Sequence, residues 1–471
     1  MSAGAVRAFL VVDLGFGDAG KGLLTDFLVR RTGATVVVRY NGGAQAGHNV
    51  VAPDGRHHTF AQLGAGSFVA SVRTFLSRHV VVHPTALLLE AEALRAKGAG
   101  NVLARLRISE AALLITPFHQ AAGRLREMAR GEARHGSCGA GVGEAVQDAL
   151  AWPDEAIVAG DLRDPPRLRR KLRRVRERKR DEIAALAAAV HAGAGKTRES
   201  AVFTAAGVPE RWAAQAAALA RGGQVTEDAT LGSWLDGAPA VVFEGAQGVL
   251  LDEWAGFHPY TTWSRCTLDH AHEILAVAAP GASVERIGVM RAHAVRHGPG
   301  PLPTETAELR PAVVEHNRRG PWQGPVRYGW FDAVLARYAL DVVGPIDLLA
   351  LTHLDVPPRL RRWQVCDSYR FASAAAPGDA DADLVEAAPA GSSTGLVKRL
   401  IAPGERSLER QARLTGLLSR VEPELQDCDP AEASVVARTE GLLGRRVDLV
   451  SRGPRAADLT PGPAAVARLW P

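Results

Sequence analysis

Residues 9–28, FLVVDLGFGDAGKGLLTDFL, constrain the chain more than any other stretch. An apolar run of strand length meets a glycine-rich turn. The turn opens into a helix-forming segment from Lys21 to about Arg31 that carries Leu24, Phe27 and Leu28 on one face. A second strand-like run, ATVVVRY at residues 34–40, follows. Strand, glycine loop, helix and strand make a βαβ unit, whose usual setting is a largely parallel sheet. Gly15 to Lys21 read G-x-x-x-x-G-K, a pattern that turns backbone N–H groups and a helix N-terminus toward a phosphate. In the usual phosphate-binding loop the next residue is Ser or Thr, which puts a hydroxyl on magnesium. Here it is Gly22, and an acid, Asp18, sits inside the loop instead. A carboxylate among phosphate-binding amides is repelled unless a divalent cation lies between them or its charge serves as a base. Gly15, Gly17 and Gly20 also fit a dinucleotide G-x-G-x-x-G, but Lys21 directly afterwards suits a triphosphate better. That reading also wants an acid at the end of the second strand, which closes on Arg39 and Tyr40. A tight strand-to-helix turn with an exposed lysine is the bland alternative for the loop alone.

The remaining strand-like runs are HVVVHP, LLIT, AVVFEG, ERIGVMRAH, DLLALTHLD and VDLVS. Helical stretches space them as in one α/β domain over residues 1–471, with a helical insertion at about 163–221 and a loop or linker at about 373–393. No window reaches the length of a membrane span, and the N-terminus lacks the basic start and cleavage site of a signal peptide. Cys138, Cys266, Cys366 and Cys428 are scattered without a C-x-x-C pair, which argues against a disulfide framework or zinc site and fits a reducing cytoplasm. The net charge is +5, with much of the positive charge in RLRRKLRRVRERKR, Arg167 to Arg180. That run reads as the solvated face of a surface helix. A polyanion patch is the sharper alternative, but no aromatic residue is interleaved for stacking on bases.

A second glycine-rich turn, RYNGGAQAGHNVV, ends in His48 and follows the second strand. A lone histidine there would by default be a satisfied surface residue. Beside Asp18 and Lys21 at one sheet edge, it becomes a phosphate-facing acid or electrophile.

Seven collinear segments resemble the adenylosuccinate synthetase family. GDAGKG (Gly17 to Gly22) is similar to the family's GDEGKG, and GGAQAGH (Gly42 to His48) to its GGHNAGH. FEGAQGVLLD (Phe243 to Asp252) followed by HPYTT matches FEGAQGTLLD and YPYVT. GPGPLPTE (Gly298 to Glu305), GWFDAV (Gly329 to Val334), LTHLDV (Leu351 to Val356) and SRGP (Ser451 to Pro454) also resemble family segments. The resemblance implies a P-loop-like α/β fold with a large, mostly parallel central sheet. It also implies a cytoplasmic homodimer and a GTP- and Mg2+-dependent ligase with no membrane and no nucleic-acid partner. In that family GTP phosphorylates the 6-oxygen of IMP, and the amino group of aspartate displaces the phosphate. By similarity Asp18 is the base and a magnesium ligand together with the Gly47 carbonyl. Lys21 and His48 stabilise phosphoryl charge, and Gln247 completes the catalytic set. The GTP site would comprise Gly17, Ala19, Gly20, Lys21, Gly22, Gly47, His48, Asn49, His353, Asp355, Ser451, Gly453 and Pro454, with Asp355 reading guanine. Gln45, Cys138, Gln247, Thr262 and Arg327 would hold the substrates.

The departures from the family pattern are concentrated. GTTGRGIGP is here GSCGAGVGE, so a phosphate-contacting Thr becomes Cys138 and an Arg becomes Ala140. The arginine that crosses the dimer aligns with Trp152. The asparagine of the second loop is Gln45, and the glutamate of the first is Ala19. The aspartate loop TTGRRRRTGW is WQGPVRYGW, in which only Arg327 survives, with Arg318 and Arg319 upstream as substitutes. The nucleotide end and chemical centre thus look retained, while the acceptor-phosphate and amine ends look rebuilt. Divergent housekeeping chemistry, a changed acceptor or amine, and a degenerate GTP-binding protein are the alternatives.

Overall fold

The computed structural model describes residues 5–194, 197–314, 319–320, 322–371, 381–386 and 396–470. Its centre is a ten-stranded sheet. From one edge to the other, the strands are Leu459–Pro461, Leu449–Ser451, Leu348–Thr352, Ser283–Arg291, Arg7–Asp13, Ala240–Glu244, Val36–Arg39, Arg73–Leu76, Leu106–Ser109 and Val225–Thr226. Every pairing is parallel except that of the first two, which is antiparallel.

The strand Arg7–Asp13 shows why the sheet is covered on both faces. Phe9 and Val11 pack with Leu24, Phe27 and Leu28 of the helix Lys21–Thr32, while Ala8, Leu10 and Val12 enter the opposite core with Val36, Val38 and Phe243. Alternation along an extended chain sends successive side chains to opposite faces, so a strand buried on both reads as an unbroken apolar run. The helix Lys21–Thr32 ends on Gly33, whose φ of 71° is the left-handed conformation that closes helices. Arg30 and Arg31 in its last turn complement the helix dipole. The two strands of the predicted βαβ unit are separated in the sheet by Ala240–Glu244, which pairs with both.

Two strand expectations fail. HVVVHP and LLIT form only isolated bridges, Gly43 to Val81, Val82 to Leu114 and Leu113 to Val158. The chain turns between Ser77 and Val80, where the Val80 amide donates to the Ser77 carbonyl at 3.1 Å, and this spends the valine run on lining rather than on the sheet. The strands in that region are instead Arg73–Leu76 and Leu106–Ser109, each four residues long and each carrying an arginine that obscures the apolar pattern.

Residues 165–221 form three helices, Pro165–Ala194, Arg198–Thr204 and Val208–Arg221. The basic run lies on the first of these, and half of its cations are matched by acids outside that helix. Arg167 and Lys171 pair with Asp161, Arg174 with Glu155, Arg178 with Asp148 and Glu155, and Lys179 with Glu144, Asp148 and Glu182. Of the linker expected at 373–393, only residues 381–386 are among those described; Arg318 lies outside them. No helix among the described residues is long and apolar enough to cross a membrane.

Candidate functional site

The loops that leave the carboxyl ends of the central strands converge on one edge of the sheet, where open parallel sheets bind ligands. Asp13, the last residue of its strand, shapes the glycine loop. Its carboxylate accepts from the Gly15 amide at 2.9 Å, the Ala19 amide at 3.0 Å and Lys21 Nζ at 2.7 Å. Lys21 and Asp13 are both buried, so this ion pair is sheltered from solvent. Gly17 and Gly20 have φ of 95° and 98°, and Gly20 caps the helix. Thr352 donates its hydroxyl to the Ala19 carbonyl at 2.8 Å, tying the loop to a second strand end.

Gly22 has a steric reason for its identity. A Cβ there would lie 2.8 Å from the Asn49 carbonyl oxygen and 3.0 Å from the His48 Cβ. The helix start and the His48 segment touch, which leaves no room for the hydroxyl-bearing side chain of the usual loop.

Asp18 has φ of 54°, a left-handed conformation that costs energy in any residue other than glycine and gathers at functional sites. His297 Nε2 lies 2.8 Å from Asp18 Oδ2, and Arg291 Nε donates to the Asp18 carbonyl at 2.6 Å. Burial raises the Asp18 pKa, but the His297 hydrogen bond and the charges of His297, Arg291 and Lys21 outweigh it and bring it down to about 2.

His48 is held by an acid at the end of the strand Ala240–Glu244. Its Nδ1 lies 2.6 Å from Glu244 Oε1, while Glu244 Oε2 accepts from the Ala65 amide at 3.0 Å. Burial and the Arg39 charge pull the His48 pKa down, against the opposing pull of Glu244. Burial opposes ionisation of Glu244, yet Arg39 and His48 hold its carboxyl below the usual range. A neutral imidazole donating Nδ1–H to an ionised Glu244 follows, with Nε2 left over. That nitrogen is buried and has no partner among the described residues.

Gln247 completes the centre. It has φ of 56°, and neither of its buried amide atoms has a partner among the described residues. It lies against Gly42, where a Cβ would come within 2.8 Å of its Oε1. Asn41 welds the two loops together. Its side chain accepts from the Ala246 amide at 2.7 Å and donates to the Ala246 carbonyl at 3.2 Å and the Arg265 carbonyl at 2.7 Å. Gln45 reaches Thr262 at 3.5 Å.

The structure distributes the remaining expected residues unevenly. Gly47 adjoins His48 on the same turn. The Asn49 side chain faces away into a hairpin, where Oδ1 accepts from the Thr59 hydroxyl at 2.6 Å. His353, with φ of 59°, and Asp355 lie beside the segment Ser451–Pro454, because the Leu354 amide donates to the Ser451 carbonyl at 3.0 Å. Gly453 lies in that loop, where the Ser451 hydroxyl donates to its carbonyl at 2.9 Å. Asp355 is ion-paired with Arg359 at 2.9 Å. Cys138 lies on the loop 136–144, which reaches the centre through Gly136, packed against Pro299 two residues from His297. Arg327 is committed elsewhere. Its Nε and Nη2 engage Glu305 at 3.0 and 2.5 Å, and Nη1 donates to the Gly298 and Gly300 carbonyls at 3.0 and 2.8 Å.

Asp13, Glu244, His297 and Arg291 had no role in the sequence reading. Glu244 stands inside the quoted FEGAQG, and Asp13 one residue before the loop's Leu14, so both were within sight. His297 and Asp18 are 279 positions apart, and only the fold joins them.

The donor set fits Mg2+ and a nucleoside triphosphate: an ionised carboxylate inside a loop of amides, a lysine beside it, and orphaned polar atoms on His48 and Gln247.

Comparison with known proteins agrees. The family model for adenylosuccinate synthetase matches residues 10–400. Among curated relatives, an adenylosuccinate synthetase of Pseudomonas fluorescens is 33% identical over 463 residues, covering 94% of this chain and 96% of the relative. One from Chromobacterium violaceum, termed adenylosuccinate synthetase 2, is 31% identical over 454 residues with the same coverage. The fold matches a fully ligated adenylosuccinate synthetase from Plasmodium falciparum with a TM-score of 0.74, at 18% identity and over 96% of this chain and 99% of that one. It also matches a succinoaminodeoxyadenylate synthetase of cyanophage S-2L, solved with dGMP and dATP, with a TM-score of 0.54 at 19% identity and over 99% of both chains. The chain belongs to the adenylosuccinate synthetase family, ligases that form a carbon–nitrogen bond at the expense of GTP and use Mg2+.

Proposed function

We propose that this chain uses GTP to phosphorylate the oxo group of a purine-like acceptor and then lets an amine displace the phosphate, with a changed acceptor, a changed amine, or both. The observation that carries this reading is an asymmetry. Among the described residues His48 and Gln247 keep buried polar atoms without partners, on segments that touch the glycine loop at Gly22 and Gly17, while Arg327, the survivor of the amine-side arginines, is held by Glu305 and two carbonyls. Two substrate carboxylates would have to displace Glu305 to reach it.

In the mechanism, Asp18 accepts the proton of the ring N–H, which turns a lactam oxygen into a competent nucleophile. Held near pKa 2, Asp18 is a weak base at rest. The negative charge of a triphosphate beside it raises its proton affinity when it is needed. The oxygen forms a bond to the γ-phosphorus, the bond to the β-phosphate oxygen breaks, and GDP leaves. Lys21 balances charge on the equatorial and leaving oxygens, and His48, neutral at rest and fixed by Glu244, takes a proton from water at Nε2 once the negative triphosphate raises its proton affinity. Gln247 holds the acceptor ring by its amide. The amine nitrogen then bonds to the ring carbon, loses a proton, and phosphate departs. Mg2+, held by Asp18 and the Gly47 carbonyl, would supply charge neutralisation on the phosphates.

The same reading covers the surroundings. His353, Asp355 and the Ser451–Pro454 loop take the guanine, residues 1–471 act as one α/β unit, and two chains pair in the cytoplasm. A degenerate binding protein is the second reading. Asp18, Lys21, His48 and Gln247 gathered at one edge speak against it, since binding alone needs no base. The test is GDP release from GTP and Mg2+ across panels of acceptors and amines, with Asp18→Asn as control. Acceptor-dependent release that the control abolishes supports ligase chemistry, and release by no acceptor sinks it. Full turnover of IMP with aspartate at ordinary rates returns the chain to housekeeping chemistry.

A further inference from the structure

Two indoles pack against the segment 136–144, which meets the site where Gly136 lies against Pro299. Trp322 presses on Gly139, where a Cβ would lie 2.5 Å from the indole Cδ1, and Trp263 presses on Gly143, where it would lie 2.7 Å from Cδ1. Trp263 directly follows Thr262, which lies 3.5 Å from Gln45, and Trp322 opens the segment that ends at Trp330; on the ligase reading both segments border the acceptor. Arg124 fixes Trp322 from behind: its guanidinium lies 5.1 Å from the ring centroid, and its Nε donates to the Gly139 carbonyl at 2.9 Å.

Charge around these indoles is already spent. Arg126 pairs with Glu144 at 2.7 Å, Arg124 lies 3.6 Å from Glu199, and Arg327 is held by Glu305. Two amides that the segment could offer an anion, those of Gly136 and Ser137, donate instead to Glu127 at 2.9 and 3.3 Å. A phosphate dianion placed here would leave water for a site whose acids, Glu127 and Glu305, are already paired with Arg130 and Arg327, and which offers, among the described residues, no unpaired cation on the segment 136–144. A flat uncharged ring or a sugar face would instead meet indole.

We propose that the acceptor carries no phosphate: it is an uncharged oxo-heterocycle, a nucleoside or its free base, seated against Trp322 and Trp263. This rests on the ligase reading above. The phosphoryl step balances as before: the ring N–H proton passes to Asp18, the oxygen bonds to phosphorus, and GDP leaves.

The experiment compares inosine, hypoxanthine and IMP as acceptors with GTP, Mg2+ and the amine panel, and separately follows quenching of tryptophan fluorescence by each acceptor in the presence of GDP. The expected result is that inosine or hypoxanthine exceeds IMP in kcat/KM by about tenfold or more, with quenching that IMP does not produce. Inosine and hypoxanthine as separate arms show whether the sugar is needed. IMP equal to or better than both overturns this inference and leaves the ligase reading standing. No acceptor-dependent GDP at all overturns the ligase reading and this inference with it. Trp322→Ala should raise KM for the uncharged acceptor about tenfold with kcat changed by less than about threefold, and Trp322→Phe should restore most of it. An unchanged KM in Trp322→Ala and in the half-exposed Trp263→Ala overturns the indole contact.

Discussion

In the proposed mechanism the reacting residues come in pairs in which a second residue sets what the first can do. Asp18 is governed by His297 and Arg291, His48 by Glu244, and Lys21 by Asp13. Replacing Glu244 with Gln keeps the hydrogen bond but removes the charge that supports a protonated imidazole. We expect kcat to fall by about a hundredfold while KM for GTP stays within about threefold, as initial-rate measurements would show. Asp18→Asn should cost about a thousandfold or more in acceptor-dependent GDP formation, with the melting temperature retained. The first member of each pair was legible in the sequence, because Asp18, Lys21 and His48 stand inside glycine loops whose geometry has one common purpose. The second member was not, because an Asp at a strand end or a His in HGPGP carries no local signal. Glu244 and His297 act through contacts 196 and 279 residues away, and Asp13, though only 8 residues from Lys21, has no pattern that marks it.

Elements extend the same logic to stability. Gly22 is the point where the helix Lys21–Thr32 and the His48 segment touch, so Gly22→Ser should not restore a conventional loop. It should push the two apart and lower kcat/KM about a hundredfold, in line with the cost of an ångström-scale misplacement. The helix Pro165–Ala194 carries the basic run, and its Lys179 is buried between Glu144, Asp148 and Glu182. Lys179→Met would remove one of the two cations that each of these acids has, leaving Arg126 and Arg178, and should cost about 2–3 kcal/mol in urea unfolding.

At the start of the helix Ala333–Val343, Asp332 caps the Leu335 amide at 3.0 Å and accepts from the Tyr369 hydroxyl at 2.7 Å. Burial pushes its pKa up from 3.8 to about 6, against those hydrogen bonds. The folded state therefore binds the proton more tightly than the unfolded one. The contribution of Asp332 is most favourable below about pH 4 and declines by about 3 kcal/mol as pH rises through 6. Asp332→Asn should lack this decline, so the stability gap between the two proteins should shift by that amount between pH 4 and pH 7. In the sequence, the basic run showed its helix but not its partners, and valine-rich HVVVHP looked more like a strand than RTFL did. Apolar content reports burial, and burial alone does not say which backbone joins the sheet.

For the whole molecule, the fold was readable because a parallel sheet buried on both faces leaves uninterrupted apolar runs, and those flanking the first loop set its architecture. The proposed pairing of two chains leaves a fainter trace. Leu150 and Trp152, at the end of the helix Val142–Ala151, are 71% and 51% exposed, an apolar face suited to a second copy of the chain. Light scattering should give a two-chain mass, and Trp152→Glu should weaken the pairing about tenfold or more, whereas a monomer at all concentrations would rule the pairing out. The tether of the glycine loop to Asp13 has a further consequence. With Lys21 offset by Asp13, the resting loop presents little net positive potential. Free phosphate and bare pyrophosphate therefore find no electrostatic trap there. A triphosphate that arrives already partnered with its cation escapes that handicap, so the loop discriminates against the simple anions that fill a cell and against retention of its own inorganic product.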